Sequence, residues 1–296
     1  MTITEGFVTA RDGVRLFYRK AGDGAPSLVI PNGIVYTNDF STLSRHRTVL
    51  FYDVRNRGRS DEVTDPTVLE QGIHNDVEDL EDVRRALQLP SLNLLGHSYM
   101  GLMVALYAAR YPAHVHRVVQ IGPSPPSAAK EYPPDLSGRD ATFASVMGAL
   151  QAFQARAGTI ADPEERCREF WMLLGPLYVF DPRDAARANW YRCDLPNERR
   201  LWEYLSRFVF PSMQALALDA RALSPLTAPV LVIHGRHDRS APYGGALDWA
   251  ALVADARLVT VPNAAHAPWI EAPELVFDAI ETFLGGGWPE AAVRVK

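Results

Sequence analysis

Residues 94–103 read LLGHSYMGLM. The first two residues complete the mostly apolar run Leu92–Leu95, which predicts a buried strand. The small and apolar residues of Val104–Ala109 predict a helix. An abrupt turn from strand to helix holds a side chain clear of both hydrogen-bond ladders and places the next N–H at a helix N-terminus. Ser98 lies at this turn. The stretch therefore predicts a nucleophilic serine.

Strand and helix patterns alternate on both sides of the turn. Asp12-Gly13 predicts a hairpin between two alternating strands, and the apolar spacing over Leu69–Leu87 predicts an amphipathic helix. Because strands separated by helices pair in parallel, we expect an α/β fold with a mostly parallel sheet flanked by helices. The predicted strands are Phe7–Ala10, Val14–Tyr18, Ser27–Ile30, Thr48–Tyr52, Leu92–Leu95, His116–Gly122, Pro229–His234 and Ala256–Val261.

Residues 125–225 interrupt the alternation of strands and helices. The segment lacks a buried strand pattern, is rich in aromatic residues, and is broken by several prolines. We therefore expect residues 1–124 and 226–296 to form the core of the fold. Residues 125–225 are expected to be an inserted helical lid (cap), some of whose rings line a cavity over the sheet.

Three polar residues, Ser98, Asp238 and His266, each follow a different predicted strand. The carboxyl ends of parallel strands lie at one edge of a sheet, so residues far apart in sequence can converge there. A serine hydroxyl is a poor nucleophile at neutral pH and needs an imidazole to accept its proton and a carboxylate to orient that imidazole. The chain order Ser, Asp, His predicts a catalytic triad.

The turn at Ser98 resembles the nucleophile elbow of the α/β-hydrolase family. The resemblance extends over nearly the whole predicted core, including loops 31–35 and 53–60. It differs at Met100, where the family usually has a second glycine; here Gly101 follows one residue later. The resemblance implies an eight-stranded sheet with a helical lid, and no cofactor or metal.

The resemblance also implies an oxyanion hole made of backbone N–H groups. The family takes these donors from the residue after the nucleophile and from the loop after an early strand, which correspond here to Tyr99 and Ile34. A serine at the elbow differs from the aspartate of haloalkane dehalogenases and epoxide hydrolases, and it leaves ester, thioester, lactone, amide, peptide-terminal and diketone hydrolysis. The leading interpretation is a serine hydrolase that cleaves a small carboxylic ester through an acyl-enzyme.

Two alternatives to an esterase stay open. Loop 53–60 and the long helical segment also resemble proline iminopeptidases. Such an aminopeptidase or amidase would need lid carboxylates to bind the substrate ammonium group, and Glu131, Asp135 and Glu203 are the candidates. The other alternative is a ligand-binding member of the family without turnover, although binding alone does not require a triad.

Two groups of charged residues are interpreted as structural. The arginines of loop 53–60 are expected to form ion pairs with Asp53 and Asp61 in a turn, since no phosphate-binding motif accompanies them. The acidic residues of the helix over Leu69–Leu87 lie mostly off its apolar stripe, so we expect a solvated face and no metal site. These acidic residues are Asp76, Glu78, Asp79, Glu81 and Asp82.

The composition narrows the classes of partner. The 296 residues are 47% hydrophobic and 22% charged, with a formal net charge of −5, which favours a soluble protein acting on small neutral molecules over one that binds nucleic acid or an anionic membrane. Cys167 and Cys193 have a spacing that predicts neither a disulfide nor a zinc site. Without an export-type N-terminus or an apolar run near the ~20 residues of a membrane span, we expect a reduced, cytoplasmic protein.

Overall fold

An eight-stranded sheet forms the centre of the computed structural model, which describes residues 3–188, 191–195 and 197–295. The strand order is β1-β2-β4-β3-β5-β6-β7-β8, in which β2 pairs antiparallel with β1 and β4 and all other pairs are parallel. The predicted mostly parallel sheet and its opening hairpin are confirmed. The strands are β1 Ile3–Thr9, β2 Arg15–Ala21, β3 Ser27–Pro31, β4 Val49–Tyr52, β5 Leu92–His97, β6 Val115–Ile121, β7 Val230–Gly235 and β8 Ala256–Val261.

Helices connect the strands and cover both faces of the sheet. The α-helices are α1 Gly33–Phe40, α2 Pro66–Leu69, α3 Ile73–Ala86, α4 Tyr99–Arg110, α5 Pro134–Ser137, α6 Ala141–Arg156, α7 Pro163–Tyr178, α8 Glu198–Tyr204, α9 Phe210–Gln214, α10 Tyr243–Leu252, α11 Pro268–Glu271 and α12 Pro273–Leu284. A π-helical turn, Leu205–Val209, joins α8 to α9, and 3₁₀ turns form Ser41–Arg45, Pro112–His114, Ala157–Thr159 and Pro182–Arg187. Within the described ranges, no helix is both long and apolar enough to cross a bilayer.

The core consists of two hydrophobic clusters, one on each face of the sheet. One cluster joins the sheet to α3, α4 and α10, and the other joins it to α1 and α12. Every residue of β3, β4, β5 and β7 is buried. Strands covered on both faces have no polar face, which explains why their sequences are nearly continuous apolar runs.

Residues 122–229, between β6 and β7, form what we call the helical insertion; its described regular elements are helices and helical turns. The insertion is held against the core by polar contacts. The Asn197 amide donates to the carbonyl oxygens of Gly58 (2.8 Å) and Ser60 (3.0 Å), and the Ala267 N–H donates to the Tyr178 carbonyl (2.9 Å). These contacts hold the insertion over the carboxyl edge of the sheet.

The acidic residues of α3 do not form the solvated face that was expected. Asp76, Asp79, Glu81 and Asp82 are all less than 10% exposed, and Glu78 is partly buried. The expectation failed because the apolar stripe identifies only the side of α3 that faces the sheet. The other side is covered by loop 53–60 and by the insertion, both of which supply hydrogen-bond partners.

Two arginines of loop 53–60, Arg55 and Arg59, form ion pairs with acidic residues other than the expected Asp53 and Asp61. Arg55 donates to Asp79 through Nε (2.8 Å) and Nη2 (2.6 Å) and pairs with Asp12 at 2.9 Å. Arg59 lies 3.5 Å from a Glu5 carboxylate oxygen, and Asp61 pairs with Arg15. These partners come from distant segments, which local sequence spacing does not reveal.

The two cysteines form a disulfide, which contradicts the expectation of free thiols. Cys167 lies on α7 and Cys193 in the segment before α8, with their Cα atoms 5.8 Å apart. Both belong to the insertion, where helix packing and not sequence spacing brings them together. The cysteine pair therefore gives no support to the expected reducing compartment.

Candidate active site

Ser98 occupies a strained corner between β5 and α4. Its φ of 59° and ψ of −129° are rare for a residue with a side chain, and its N–H donates to the Ile121 carbonyl of β6 at 3.0 Å. Tyr99 begins α4 directly afterwards, so its N–H belongs to the first helical turn, where no intrahelical acceptor exists. This is the geometry that the sequence predicted for a nucleophile.

Gly96 and Gly101 are the positions of this corner that require glycine. A Cβ atom on Gly96 would lie 2.3 Å from the Met100 carbonyl oxygen, and one on Gly101 would lie 2.9 Å from Cβ of Pro123. Met100, which stands where the family usually has glycine, is fully buried in the core beside the sheet. The corner therefore accommodates Met100, and the close approach to the next strand end is made by Gly101.

His266 and Asp238 are brought together at the ends of β8 and β7. The His266 Nδ1 atom lies 2.7 Å from Asp238 Oδ2, and both side chains are completely buried. Because an ionised carboxylate can only accept, Nδ1 carries the ring proton and Nε2 has a free lone pair. That Nε2 atom is buried and has no hydrogen-bond partner among the described residues. The ring is therefore arranged to accept a proton.

Asp238 is held in its ionised form by its surroundings. Burial alone would raise its pKa, but the interaction with His266 and the hydrogen bonds from His234 and His266 outweigh burial and hold the pKa well below its usual range. Its Oδ1 atom accepts the N–H groups of Ser240 and Ala241, each at 2.8 Å. His234 Nε2 lies 3.1 Å from Oδ2. The position of His234, four residues before the acid, is the sequence signal for this contact.

His97 positions the loop that carries His266. Its Nε2–H donates to the His266 carbonyl oxygen (2.8 Å), and its Nδ1 accepts from the Tyr36 hydroxyl (2.7 Å). Burial, with a smaller contribution from His266, lowers the pKa of His97 well below its ordinary value, so the ring is neutral. The two imidazole rings are in contact, with centroids 4.3 Å apart and ring planes tilted by 48°. His97 is thus a positioning residue.

A cavity of about 290 Å³ lies between the sheet edge and the insertion, and both Ser98 and His266 line it. The insertion contributes an apolar wall consisting of Trp171, Leu174, Leu177, Trp202, Leu205 and Phe210. From the core come the polar side chains of Asn32, Tyr36 and Arg57. The volume is near the lower end for small-molecule sites, so the cavity fits a small, mostly apolar compound.

A family model for the alpha/beta hydrolase fold matches residues 30–273. The chain belongs to the α/β-hydrolase family. The matched range includes Ser98, Asp238 and His266 and most of the sheet. The predicted α/β-hydrolase fold is therefore confirmed.

Individual relatives of this α/β-hydrolase have several activities. A bifunctional esterase/perhydrolase from Acinetobacter calcoaceticus is 27% identical over 292 residues, which cover 93% of this chain and 98% of the relative. A proline iminopeptidase from Heyndrickxia coagulans is 26% identical over 298 residues, which cover 95% of this chain and 98% of the relative. The solved structure of an esterase from Exiguobacterium antarcticum has a TM-score of 0.72 at 17% identity and covers 96% of this chain and 100% of that chain.

The two backbone N–H groups predicted as oxyanion donors of this α/β-hydrolase, those of Tyr99 and Ile34, differ in their relation to the cavity. Tyr99 lines the cavity beside Ser98. Ile34 does not line it, and the Ile34 N–H donates instead to Asp53 Oδ1 at 2.5 Å. The sequence could not reveal this because Asp53 is distant from Ile34 and its buried carboxylate competes for that N–H. Asn32, in a left-handed conformation at the end of β3, is the neighbour of Ile34 that reaches the cavity.

Among the described residues, this cavity has no cluster of metal ligands and none of the expected lid carboxylates. The described part of the chain contains no group of three or more His, Cys, Asp or Glu side chains that could hold a metal ion. None of Glu131, Asp135 and Glu203 is among the described residues that line the cavity. Glu131 lines a separate cavity beside α5 and α9, and Glu203 lines a shallow one near α2.

Gly122 of this α/β-hydrolase leaves space for the hydrogen-bonded pair of Asp238 and His266. Its φ is +49°, and a Cβ atom there would lie 3.1 Å from His266 Nδ1 and 3.2 Å from Asp238 Oδ2. We expect Gly122→Ala to displace the imidazole and to lower kcat for ester hydrolysis about a hundredfold, as small misplacements of catalytic groups do. Gly148→Ala in α6 is the matched control, because a Cβ there meets no atom within 4 Å. Equal activity of the two variants would contradict the prediction.

Proposed function

We propose that this α/β-hydrolase is a serine hydrolase that cleaves small carboxylic esters through an acyl-enzyme. The observation that carries the proposal is the state of His266. Its Nδ1 atom is committed to the ionised Asp238, while its Nε2 atom is buried without a partner among the described residues and belongs to the cavity that Ser98 lines. An imidazole in this tautomer is the base that a serine nucleophile needs.

The proposed reaction uses Ser98 and His266 in both of its stages, acylation and deacylation. The Ser98 oxygen attacks the ester carbonyl carbon while its proton passes to His266 Nε2, giving a tetrahedral oxyanion. The oxyanion collapses, the carbon–oxygen bond to the alcohol breaks, and the alcohol takes the proton from Nε2. Water then attacks the acyl-enzyme with Nε2 again accepting a proton, and a second collapse returns that proton to Ser98 and releases the acid.

Donors for the oxyanion are proposed on both sides of Ser98. The N–H of Tyr99 is one donor, because it belongs to the first turn of α4 and lies next to the nucleophile. We replace Ile34 as the second donor by the side-chain amide of Asn32, which is 3% exposed and lines the cavity. Amide side chains serve this purpose in other hydrolytic sites.

The helical insertion is proposed to act as a lid that selects the substrate. Its apolar wall faces Ser98 across the cavity, so it would contact whichever part of the substrate extends away from the scissile bond. Burying that part in an apolar wall favours binding by about 25 cal/mol per Å² of apolar surface. Removing water from the site also strengthens the electrostatic interactions made with the oxyanion.

An aminopeptidase of the proline iminopeptidase type is the second candidate, supported by the relative from Heyndrickxia coagulans. That activity requires an acidic group to bind the substrate ammonium. Among the described residues that line the cavity there is no aspartate or glutamate, and the permanently charged one is Arg57. The charge in the cavity therefore favours the esterase.

A fluorophosphonate probe tests the nucleophile directly. We expect covalent labelling at Ser98, located by mass spectrometry of the digested protein, and loss of labelling in Ser98→Ala. We also expect Ser98→Ala to lower hydrolysis of 4-nitrophenyl butyrate by at least about 10³-fold, because the nucleophile and the base act as a unit. Ser91→Ala is the matched control, since Ser91 precedes β5 at the end opposite Ser98 and is bonded to His116.

Two results would contradict the esterase proposal. A folded sample that takes no label at Ser98 would exclude both enzymatic candidates and favour a ligand-binding protein. Labelling at Ser98 combined with turnover of proline 4-nitroanilide, and none of the ester, would favour the aminopeptidase.

A further inference from the structure

A second cavity lies within the helical insertion, next to the catalytic one. We call it the outer cavity. It has a volume of about 260 Å³, and its lining includes Phe153, Phe170, Trp171 and Trp202 together with Gln154 and Arg166. Trp171 and Trp202 also belong to the wall of the catalytic cavity. The two cavities therefore adjoin, and these two indoles form part of the boundary between them.

Trp202 lies between a ring of one cavity and a ring of the other. Its indole contacts the Phe170 ring, in the outer cavity, with centroids 5.0 Å apart. It also contacts the Phe210 ring, in the catalytic cavity, with centroids 5.8 Å apart. Phe170 in turn contacts Trp171 at 5.6 Å and Phe153 at 6.2 Å. The rings form a continuous row, and Trp202 stands where that row passes from one cavity to the other.

The outer cavity is suited to an apolar chain. Phe153 is 5% exposed, whereas the polar side chains of Gln154 and Arg166 are exposed to solvent, so the less exposed part of the lining is mostly aromatic. A chain that entered this space would leave water, which favours binding about fourfold for each CH₂ group buried. Each cavity is near the lower end of the usual volume of small-molecule sites, and the two together would be well within that range.

The Trp202 side chain contributes to the boundary between the cavities and not to the core. It is 45% exposed and belongs to neither of the two hydrophobic clusters that flank the sheet. Trp249 and Trp269, which are core residues, are at most 4% exposed. Replacing Trp202 should therefore change the shape of the cavities without unfolding the protein.

We propose that Trp202 limits the length of the chain that the substrate carries, because its indole closes the catalytic cavity against the outer cavity. This inference rests on the proposed function and adds the class of substrate: an ester whose chain on the side of the insertion is short, apolar and uncharged. The apolar wall of the insertion contacts that chain, and the Trp202 ring meets its end. Without the indole, the outer cavity becomes a subsite for a longer chain.

Hydrolysis of matched short and long esters tests the inference. 4-Nitrophenyl butyrate and octanoate differ in the acyl chain, and butyl and octyl acetate differ in the alcohol. In the pair whose variable chain faces the insertion, we expect the short ester to have a kcat/KM at least tenfold higher. Trp202→Ala should raise the long-to-short ratio of kcat/KM at least tenfold in that pair, because the additional CH₂ groups then enter the outer cavity. Trp202→Phe, which keeps a ring, should raise the ratio less.

The matched control is Met172→Ala. Met172 follows Trp171 on α7, is 66% exposed, and is not among the described residues that line either cavity. Its replacement removes an apolar side chain from the same part of the insertion and should leave the ratio unchanged, with both variants folded by circular dichroism. If the two variants change the ratio equally, or if Trp202→Ala raises it less than tenfold in both pairs, the inference is wrong.

Binding without turnover separates this inference from the proposed function. In Ser98→Ala, the proton NMR signal of the His266 Nδ1–H, which is bonded to Asp238, should report occupancy of the catalytic cavity, because His266 lines that cavity and not the outer one. We expect Trp202→Ala in this background to strengthen the binding of octanamide relative to butanamide at least tenfold. A smaller change would overturn the inference even if ester hydrolysis is established, whereas a change of that size would support it even if no ester is hydrolysed.

Discussion

Asp238→Asn is expected to lower kcat for 4-nitrophenyl ester hydrolysis by about 10⁴-fold, the size of effect that loss of the correct imidazole tautomer produces. The N–H groups of Ser240 and Ala241 both donate to Oδ1, so the asparagine must keep its oxygen on that side. Its NH₂ group then faces His266 Nδ1 and can only donate. Nδ1 becomes the acceptor, Nε2 carries the proton, and the base is lost without a change of fold.

The control for this prediction is Asp255→Asn, at the opposite end of the same pair of strands. Asp255 is partly exposed and pairs with Arg294 at 2.9 Å, far from the catalytic cavity. Steady-state kinetics and circular dichroism should show normal activity and normal folding for this variant. An Asp238→Asn protein that keeps more than a tenth of the activity would contradict the assignment of the triad.

Asp76→Asn is expected to stabilise the protein at alkaline pH. Asp76 is completely buried. Burial, and secondly the nearby charge of Asp79, raise its pKa from 3.8 to about 7. Arg55 and the Tyr204 hydroxyl, which donates to Oδ1 at 3.0 Å, oppose this increase in pKa. Because the folded-state pKa is raised, the neutral form stabilises the fold fully below pH 3.8, and this stability is lost as the pH rises through 7.

Asparagine reproduces the neutral form of Asp76 at every pH and keeps the acceptor for Tyr204. We expect the free energy of unfolding of Asp76→Asn, measured by urea titration, to exceed that of the unmodified protein by up to about 4 kcal/mol at pH 8.5 and by less than about 2 kcal/mol at pH 5. Asp79→Asn is a control of opposite sign, since it leaves the buried Arg55 without its main carboxylate and should destabilise the protein at both pH values. A less stable Asp76→Asn at pH 8.5 would contradict the prediction.

The sequence predicted the sheet and the strand ends at which Ser98, Asp238 and His266 lie, because both follow from local patterns. Apolar runs separated by helices imply parallel pairing, and parallel pairing places the ends of β5, β7 and β8 at one edge. The strained backbone of Ser98 is likewise a property of a short strand-to-helix connection flanked by glycines. These features depend on the order of residues and on no distant contact.

The features that the sequence could not predict all depend on contacts between distant segments. The carboxylate of Asp53, besides accepting the Arg59 N–H of its own loop, accepts the N–H of Ile34, 19 residues earlier in the chain, which removes Ile34 from the oxyanion site. The burial of Asp76 depends on Tyr204, 128 residues later. Helical segments have no sheet pairing that fixes their neighbours, so the sequence does not predict which distant residues they contact.

The disulfide between Cys167 and Cys193 has a mechanical consequence for substrate entry. It closes a covalent ring in the chain, at a sequence separation of 26, and ties α7 to the segment that leads into α8. Trp171 and Trp202, on these two helices, form parts of the same cavity wall. The bond therefore limits how far these two parts of the wall can separate when a substrate enters.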